Sequence, residues 1–193
     1  MPHSPGGLQS SRAPFVPALK FDSLIQGSDG NLYVSTENGG RLNYGALFQA
    51  TLAGQPASLY SFLGYPNDGS NPLTGLVQHT DGNFYGTAFS GGPSPCNYGD
   101  YPGCGTIFSL DMGLPPFVSF INRAGRVGQF VRILGQGFTG ASGVSFNGTP
   151  ANFTVKLDTL ILAPVPPGAT TGSVTVATPS GTLTSNVPFY VIP

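Results

Sequence analysis

The first half of the chain contains the same block of residues twice. The ten residues from Leu24 to Tyr33 (LIQGSDGNLY) return between Leu76 and Tyr85 (LVQHTDGNFY), 52 positions later. Further downstream, the block GALF at 45–48 returns as GTIF after a short insertion in the second copy. A repeat period of about 50 residues is typical of small units that bury their apolar faces by stacking on one another. The repeat therefore restricts this half to similar units packed side by side.

Each copy has the pattern of short antiparallel strands. In the first copy we predict four strands, around residues 24–26, 31–36, 45–51 and 58–63. An Asp-Gly pair separates the first two, where a tight turn needs the positive φ that these residues adopt at low cost. A four-stranded unit of this length has the size of one β-propeller blade. The second copy ends after about three strands, near Leu110, so we expect open strand edges; a closed propeller needs about four to eight blades.

These copies resemble the GloVer tandem repeat of secreted bacterial proteins. The hallmark residues are Asp29, Gly30, Asn31 and Tyr33 in the first copy, and Asp81, Gly82, Asn83 and Tyr85 in the second. Gly-Gly pairs at 39–40 and 91–92 complete the match, whereas Val34-Ser35 replaces the usual Gly-Thr. The resemblance covers residues 18–111. It implies propeller-blade-like β-meanders and no established activity.

The second half has a different pattern, separated from the first by Leu114-Pro115-Pro116, because consecutive prolines break strand pairing. Seven candidate strands lie at 116–121, 129–134, 144–146, 153–155, 159–163, 173–177 and 189–191. Asn147-Gly148 is a hairpin-turn signal. The blocks GQGF (135–138), VSFNGTPA (144–151) and VPPGATTG (165–172) resemble IPT/TIG immunoglobulin-like domains. That resemblance covers residues 116–192 and implies a β-sandwich.

We therefore predict an all-β protein, with propeller-blade-like antiparallel β-meanders followed by a C-terminal immunoglobulin-like β-sandwich. The predicted divisions are an extended N-terminal segment (1–17), two blade repeats (18–113) and the sandwich (114–193). Only 8% of residues are charged and the net charge is −1, which argues against nucleic acid as a partner. No membrane-spanning stretch or export signal is recognised, and we expect any signal to have been removed or to lie outside this sequence.

The residues that could carry chemistry are few. Cys96 and Cys104 flank a short Gly/Pro/Tyr loop, and a disulfide is favoured over a metal site because no further Cys or His stands at ligand spacing. His79 has no catalytic motif around it, and the aspartates mostly stand beside Gly, Asn or Ser, as turn residues do. Tyr33, Tyr85, Tyr98 and Tyr101 are expected to pack inside the blades, with a sugar-stacking platform as the alternative. We expect no catalytic, cofactor or metal site.

Open edges with few charged residues to protect them indicate self-association. We therefore expect an extracellular or cell-surface, non-enzymatic structural protein that forms a homo-oligomer or homopolymer, even a filament, by β-strand addition. The edges would pair with neighbouring copies or with the N-terminal segment. The alternative is a carbohydrate- or protein-binding adhesion module cut from a larger propeller. A glycan-cleaving enzyme is a third class, but two blades cannot build the central pocket that a carboxylate pair needs.

Overall fold

A computed structural model describes residues 21–99 and 101–193. The fold is all-β, as predicted, and the described residues form no helix. None of them therefore forms a helix that could cross a membrane. The predicted N-terminal segment, residues 1–17, lies outside the described residues. The chain divides into two compact units. The first contains the described residues up to Gln78 together with Phe84–Leu110, and the second contains His79–Asn83 and Asp111–Pro193.

The first copy of the repeat forms a four-stranded antiparallel meander. Its strands are β1 (Phe21–Gln26), β2 (Leu32–Thr36), β3 (Ala46–Ala50) and β4 (Pro56–Ser61), hydrogen-bonded in chain order. All four overlap the strands predicted from the sequence. Because side chains alternate along a strand, Tyr33 and Ser35 lie on one face of the sheet and Val34 on the other. Both faces of β2 are buried, so this strand lies inside the unit.

The second copy forms a sheet of three strands. After β5 (Gly69–Ser70) come β6 (Val77–Gln78), β7 (Phe84–Ala88), β8 (Ser90–Gly91), β9 (Asn97–Tyr98), β10 (Tyr101–Pro102) and β11 (Thr106–Leu110). The sheet order is β11-β7-β6, and two small ribbons pair β5 with β8 and β9 with β10. The sequence predicts about three strands in this copy, and the sheet has three strands among the described residues. The sequence does not predict four of the five two-residue strands described in the first unit, β5, β8, β9 and β10, because two residues show no alternation of their own.

The second unit contains two four-stranded antiparallel sheets that share a core. Its strands are β12 (Ser119–Phe120), β13 (Ala124–Arg126), β14 (Phe130–Leu134), β15 (Gly143–Phe146), β16 (Thr149–Ala151), β17 (Thr154–Leu157), β18 (Leu160–Pro164), β19 (Val174–Thr178), β20 (Gly181–Thr184) and β21 (Tyr190–Ile192). One sheet has the order β12-β14-β18-β17 and the other β16-β15-β19-β20, while β13 pairs in parallel with β21. Ile133 and Ile161 of the first sheet and Phe146 and Val176 of the second enclose one apolar core.

The sequence predicts seven strands in this unit, and each overlaps an observed strand. The predictions missed β13, β16 and β20. Pro150 at the centre of β16 argues against a strand, yet it is tolerated because β16 lies at a sheet edge, where one side of the backbone needs no partner. The predicted Asn147-Gly148 turn joins β15 to β16, and both residues have positive φ.

Candidate functional site

The hallmark turns of the two copies have the same hydrogen bonds. In the first copy the Asn31 backbone N–H donates to Oδ1 of Asp29 at 3.1 Å, and in the second copy the Asn83 N–H donates to Oδ1 of Asp81 at 2.8 Å. In both turns the central glycine has positive φ, +83° at Gly30 and +97° at Gly82. These carboxylates therefore hold the backbone of the turn, which accounts for the Asp-Gly-Asn block in structural terms.

Tyr33 connects the first hallmark turn to the interior of the sheet. Its hydroxyl donates to Oδ2 of Asp29 at 2.8 Å and accepts from Nε2 of Gln49 at 2.9 Å. Burial, assisted by the hydrogen bond to Asp29 and by its negative charge, raises the pKa of Tyr33 to about 12. The ring is completely buried, so Tyr33 cannot belong to an exposed sugar-stacking platform. Tyr85 is half-buried and Tyr101 is exposed.

The two repeat sheets of the first unit pack face to face. The Tyr33 and Phe84 rings have centroids 4.1 Å apart, and Phe62 meets Phe108 edge-on at 5.0 Å. At one side of this interface the Gln78 side chain accepts from the Ser28 backbone N–H at 2.8 Å and its Nε2 donates to Oγ of Ser28 at 3.0 Å. The interface thus combines aromatic packing with a pair of polar hydrogen bonds, and together these contacts hold the second sheet against the first.

Strand β11 forms the outer edge of the second sheet. One side of its backbone pairs with β7 over all five residues, Thr106 to Leu110. Within residues 21–99 and 101–193, no segment makes a backbone hydrogen bond to its other side. The strand contains no Lys, Arg or Pro, the residues that usually protect an edge. On this side, the backbone groups of β11 therefore have no partner among the described residues.

The insertion in the second copy is closed by a disulfide between Cys96 and Cys104, whose Cα atoms are 5.0 Å apart. The disulfide predicted from the sequence is therefore present. The Gly103 N–H also donates to the Cys96 carbonyl, which shortens the loop further. Nearby, the exposed rings of Phe89 and Tyr101 meet edge-on, with centroids 5.5 Å apart. The side chain of Tyr98, also proposed for stacking, lies outside the described residues.

Few side chains in the described part of the chain are candidates for a catalytic or metal-binding role. No group of three or more His, Cys, Asp or Glu side chains there is placed to hold a metal ion. Nδ1 of His79 lies 3.1 Å from Oδ2 of Asp81 inside the second hallmark turn, where the His79 N–H also donates to the Asn83 carbonyl. This pairing serves the turn. A groove of about 500 Å³ beside β21 is lined mostly by small and apolar side chains such as Val127 and Ile192.

Comparison of the chain with models of known protein families and with curated proteins finds no match. The GloVer and IPT/TIG resemblances therefore stay predictions that rest on the quoted motifs.

Proposed function

We propose that this chain is an extracellular, non-enzymatic structural protein that assembles with copies of itself by β-strand addition at β11. The observation that carries the proposal is the difference between the two repeat sheets. The first has four strands and the second has three, so the position equivalent to β4 is unfilled beside β11 among the described residues. A strand from a neighbouring copy would complete the second sheet.

The edge is suited to such a strand in length and in composition. Five residues of β11 span about 16 Å, the length of an average strand in a globular protein. Backbone hydrogen bonds give strand addition its affinity, and they do not require charged groups on either partner. We expect the N-terminal residues 1–17 of a neighbouring copy to supply the added strand. A contact of this kind is head-to-tail and propagates into a filament unless its rotation closes a ring.

The disulfide supports the extracellular part of the proposal, and the scarcity of charge supports self-assembly. Disulfides persist in oxidising surroundings, which for a bacterial protein means the periplasm, the cell surface or the medium. A chain with 8% charged residues has little like-charge repulsion to keep its copies apart.

Assembly can be tested with the purified chain by light scattering after size exclusion and by negative-stain electron microscopy. A synthetic peptide of residues 56–62 (PASLYSF), which contains β4, should occupy the β11 edge and reduce the assembled fraction. A peptide of the same composition in scrambled order is the matched control. Deletion of residues 1–17 should have an effect similar to that of the β4 peptide.

The proposal fails if the wild-type chain is a monomer at every concentration tested. It also fails if assembled particles are indifferent to both the β4 peptide and the deletion. Monomeric particles that bind sugars on a glycan array would instead support the adhesion-module alternative, with the exposed Phe89–Tyr101 pair as the first place to mutate.

A further inference from the structure

The two repeat copies make it possible to compare equivalent positions, one with a neighbouring sheet and one without. Leu76 of the second copy is 5% exposed where it faces the first sheet, whereas its equivalent in the first copy, Leu24, is 60% exposed. The opposite face gives the reciprocal result. Leu47 of the first copy is 2% exposed beneath the second sheet, whereas its equivalent, Ile107, is 82% exposed. At these two pairs of positions, the side chain is buried where the other copy reaches it and exposed where it does not.

These positions define two faces of the first unit, each with large side chains that remain exposed. The back face is the outer surface of the second sheet and consists of Val77, Tyr85, Thr87, Ile107 and Ser109, which the strand register places side by side. The front face is the outer surface of the first sheet, where Leu24 and Gln26 are exposed, Leu32 and Phe48 are half-buried, and Val34 between them is buried. Val77 is 64% exposed, and Gln26 is the exposed equivalent of Gln78, which clamps Ser28 inside the chain.

We propose that the back face of one chain binds the front face of a second copy, in the manner in which the first sheet binds the second within one chain. This inference rests on the proposed self-assembly and adds a second contact to it, made by side chains rather than by the β11 backbone edge. Comparison of the two repeat copies identifies the surface that fits the back face. Within one chain, Tyr33, Ser35 and Leu47 are covered by the face of the second sheet that is equivalent to the front face. Their equivalents in the second copy are Tyr85, Thr87 and Ile107 of the back face. The front face of another chain is therefore the surface expected to cover them.

The chemistry of the two faces supports this pairing. Each presents a large exposed aliphatic side chain, Ile107 or Leu24, and none of the residues named for the two faces is charged. The contact is heterologous, because two different surfaces meet, so it continues from copy to copy. With two blade-like sheets in each chain, about two to four chains would close a ring of propeller size. If each copy is also shifted along the rotation axis, the assembly becomes a helical filament instead of a closed ring.

Two single substitutions and their mixture test the contact. Val77→Asp damages the back face without changing β11, because Val77 lies on β6, and Leu24→Asp damages the front face. Leu52→Asp is the control, because Leu52 is equally exposed but lies between β3 and β4, on neither face. We expect each face variant to raise the concentration for half-maximal assembly by at least about tenfold, since burial of one large aliphatic side chain is worth that much. The control should assemble like the wild type. Far-ultraviolet circular dichroism verifies that all three fold.

The mixture distinguishes a heterologous contact from any other. Val77→Asp retains an intact front face and Leu24→Asp an intact back face. With the β4 peptide present to block strand addition at β11, the two variants together should therefore form one-to-one dimers that grow no further. The inference is overturned if either variant alone assembles like the wild type, a result that leaves strand addition at β11 standing. It is also overturned if the mixture stays monomeric. A monomeric wild-type chain would refute the proposed function itself, and the two failures are therefore distinguishable.

Discussion

Replacement of Tyr33 by Phe removes one hydroxyl from the interior of the first unit and tests whether the hallmark turn stabilises the fold. The hydroxyl donates to Asp29 at 2.8 Å and accepts from Gln49 at 2.9 Å. Loss of both bonds leaves two polar groups without this partner, at a typical cost of about 1–3 kcal/mol. Because Asp29 is exposed and water can replace the lost donor, we expect a decrease of about 1–2 kcal/mol in the free energy of unfolding.

Urea unfolding followed by tyrosine fluorescence measures this change. The chain has no Trp, and seven of its eight tyrosines precede Asp111, so the signal reports on the first unit. Tyr60→Phe is the control, because its hydroxyl donates to Asp68 at 2.8 Å on an exposed surface and should contribute less than about 0.5 kcal/mol. Equal effects of the two substitutions would contradict the special position of Tyr33.

The pH dependence provides an independent check with a definite sign. Tyr33 has a pKa of about 12 in the folded chain, against about 10 when unfolded, so the unfolded state loses its proton first as the pH rises. The contribution of the Tyr33 hydroxyl to the free energy of unfolding is therefore fully present below pH 10 and is lost progressively between pH 10 and 12. The stability difference between the wild type and Tyr33→Phe should narrow by about 1 kcal/mol between pH 9 and pH 11. A difference that stays constant would refute the reasoning.

Three further changes have expected outcomes. Replacement of both Cys96 and Cys104 by Ser should lower the unfolding free energy of the first unit in urea by about 2–3 kcal/mol, through loss of a short closed loop, and the reduced wild type should behave identically. Gly148→Ala should lower the stability of the second unit by about 1–2 kcal/mol in thermal melts, because the φ of Gly148 is +84°, a value that costs any other residue energy even though no atom is close enough to clash. Gly143→Ala is the control and should change the stability little, because Gly143 has no positive φ and space for a methyl group. Phe146→Ala should cost about 3–5 kcal/mol in the same melts, since the ring is buried in the core.

The sequence predicts the strands of the first unit well because turn chemistry and strand alternation agree there. Asp-Gly-Asn fixes each hallmark turn locally, so the flanking strands can pair in only one register. Where a strand has no such local signal, prediction fails. The strand β16 has Pro150 at its centre, and β5 and β8 have two residues each. These elements depend on pairing with neighbouring strands rather than on an alternating pattern of their own, and for β16 the Asn147-Gly148 turn is the one local signal.

Burial at the repeat positions could not be predicted for a more basic reason. Leu24 and Leu76 are the same amino acid at the same place in the repeat, yet one is exposed and the other buried. Alternation of apolar and polar residues identifies which face of a strand is made for packing. It does not say whether a packing partner is present, because that depends on the number of copies and on their order.

The open edge and the open back face belong to the same sheet, and this has a consequence for growth. A copy that stacks its front face on the back face of another covers Ile107 of that chain but brings an exposed Ile107 of its own. In the proposed strand addition, the chain that supplies the strand likewise has its own β11 edge, which no described segment of that chain pairs with. Each addition therefore regenerates both surfaces on which the next addition depends. Growth is limited only if the rotation between copies returns to the starting point, because then the last back face meets the first front face.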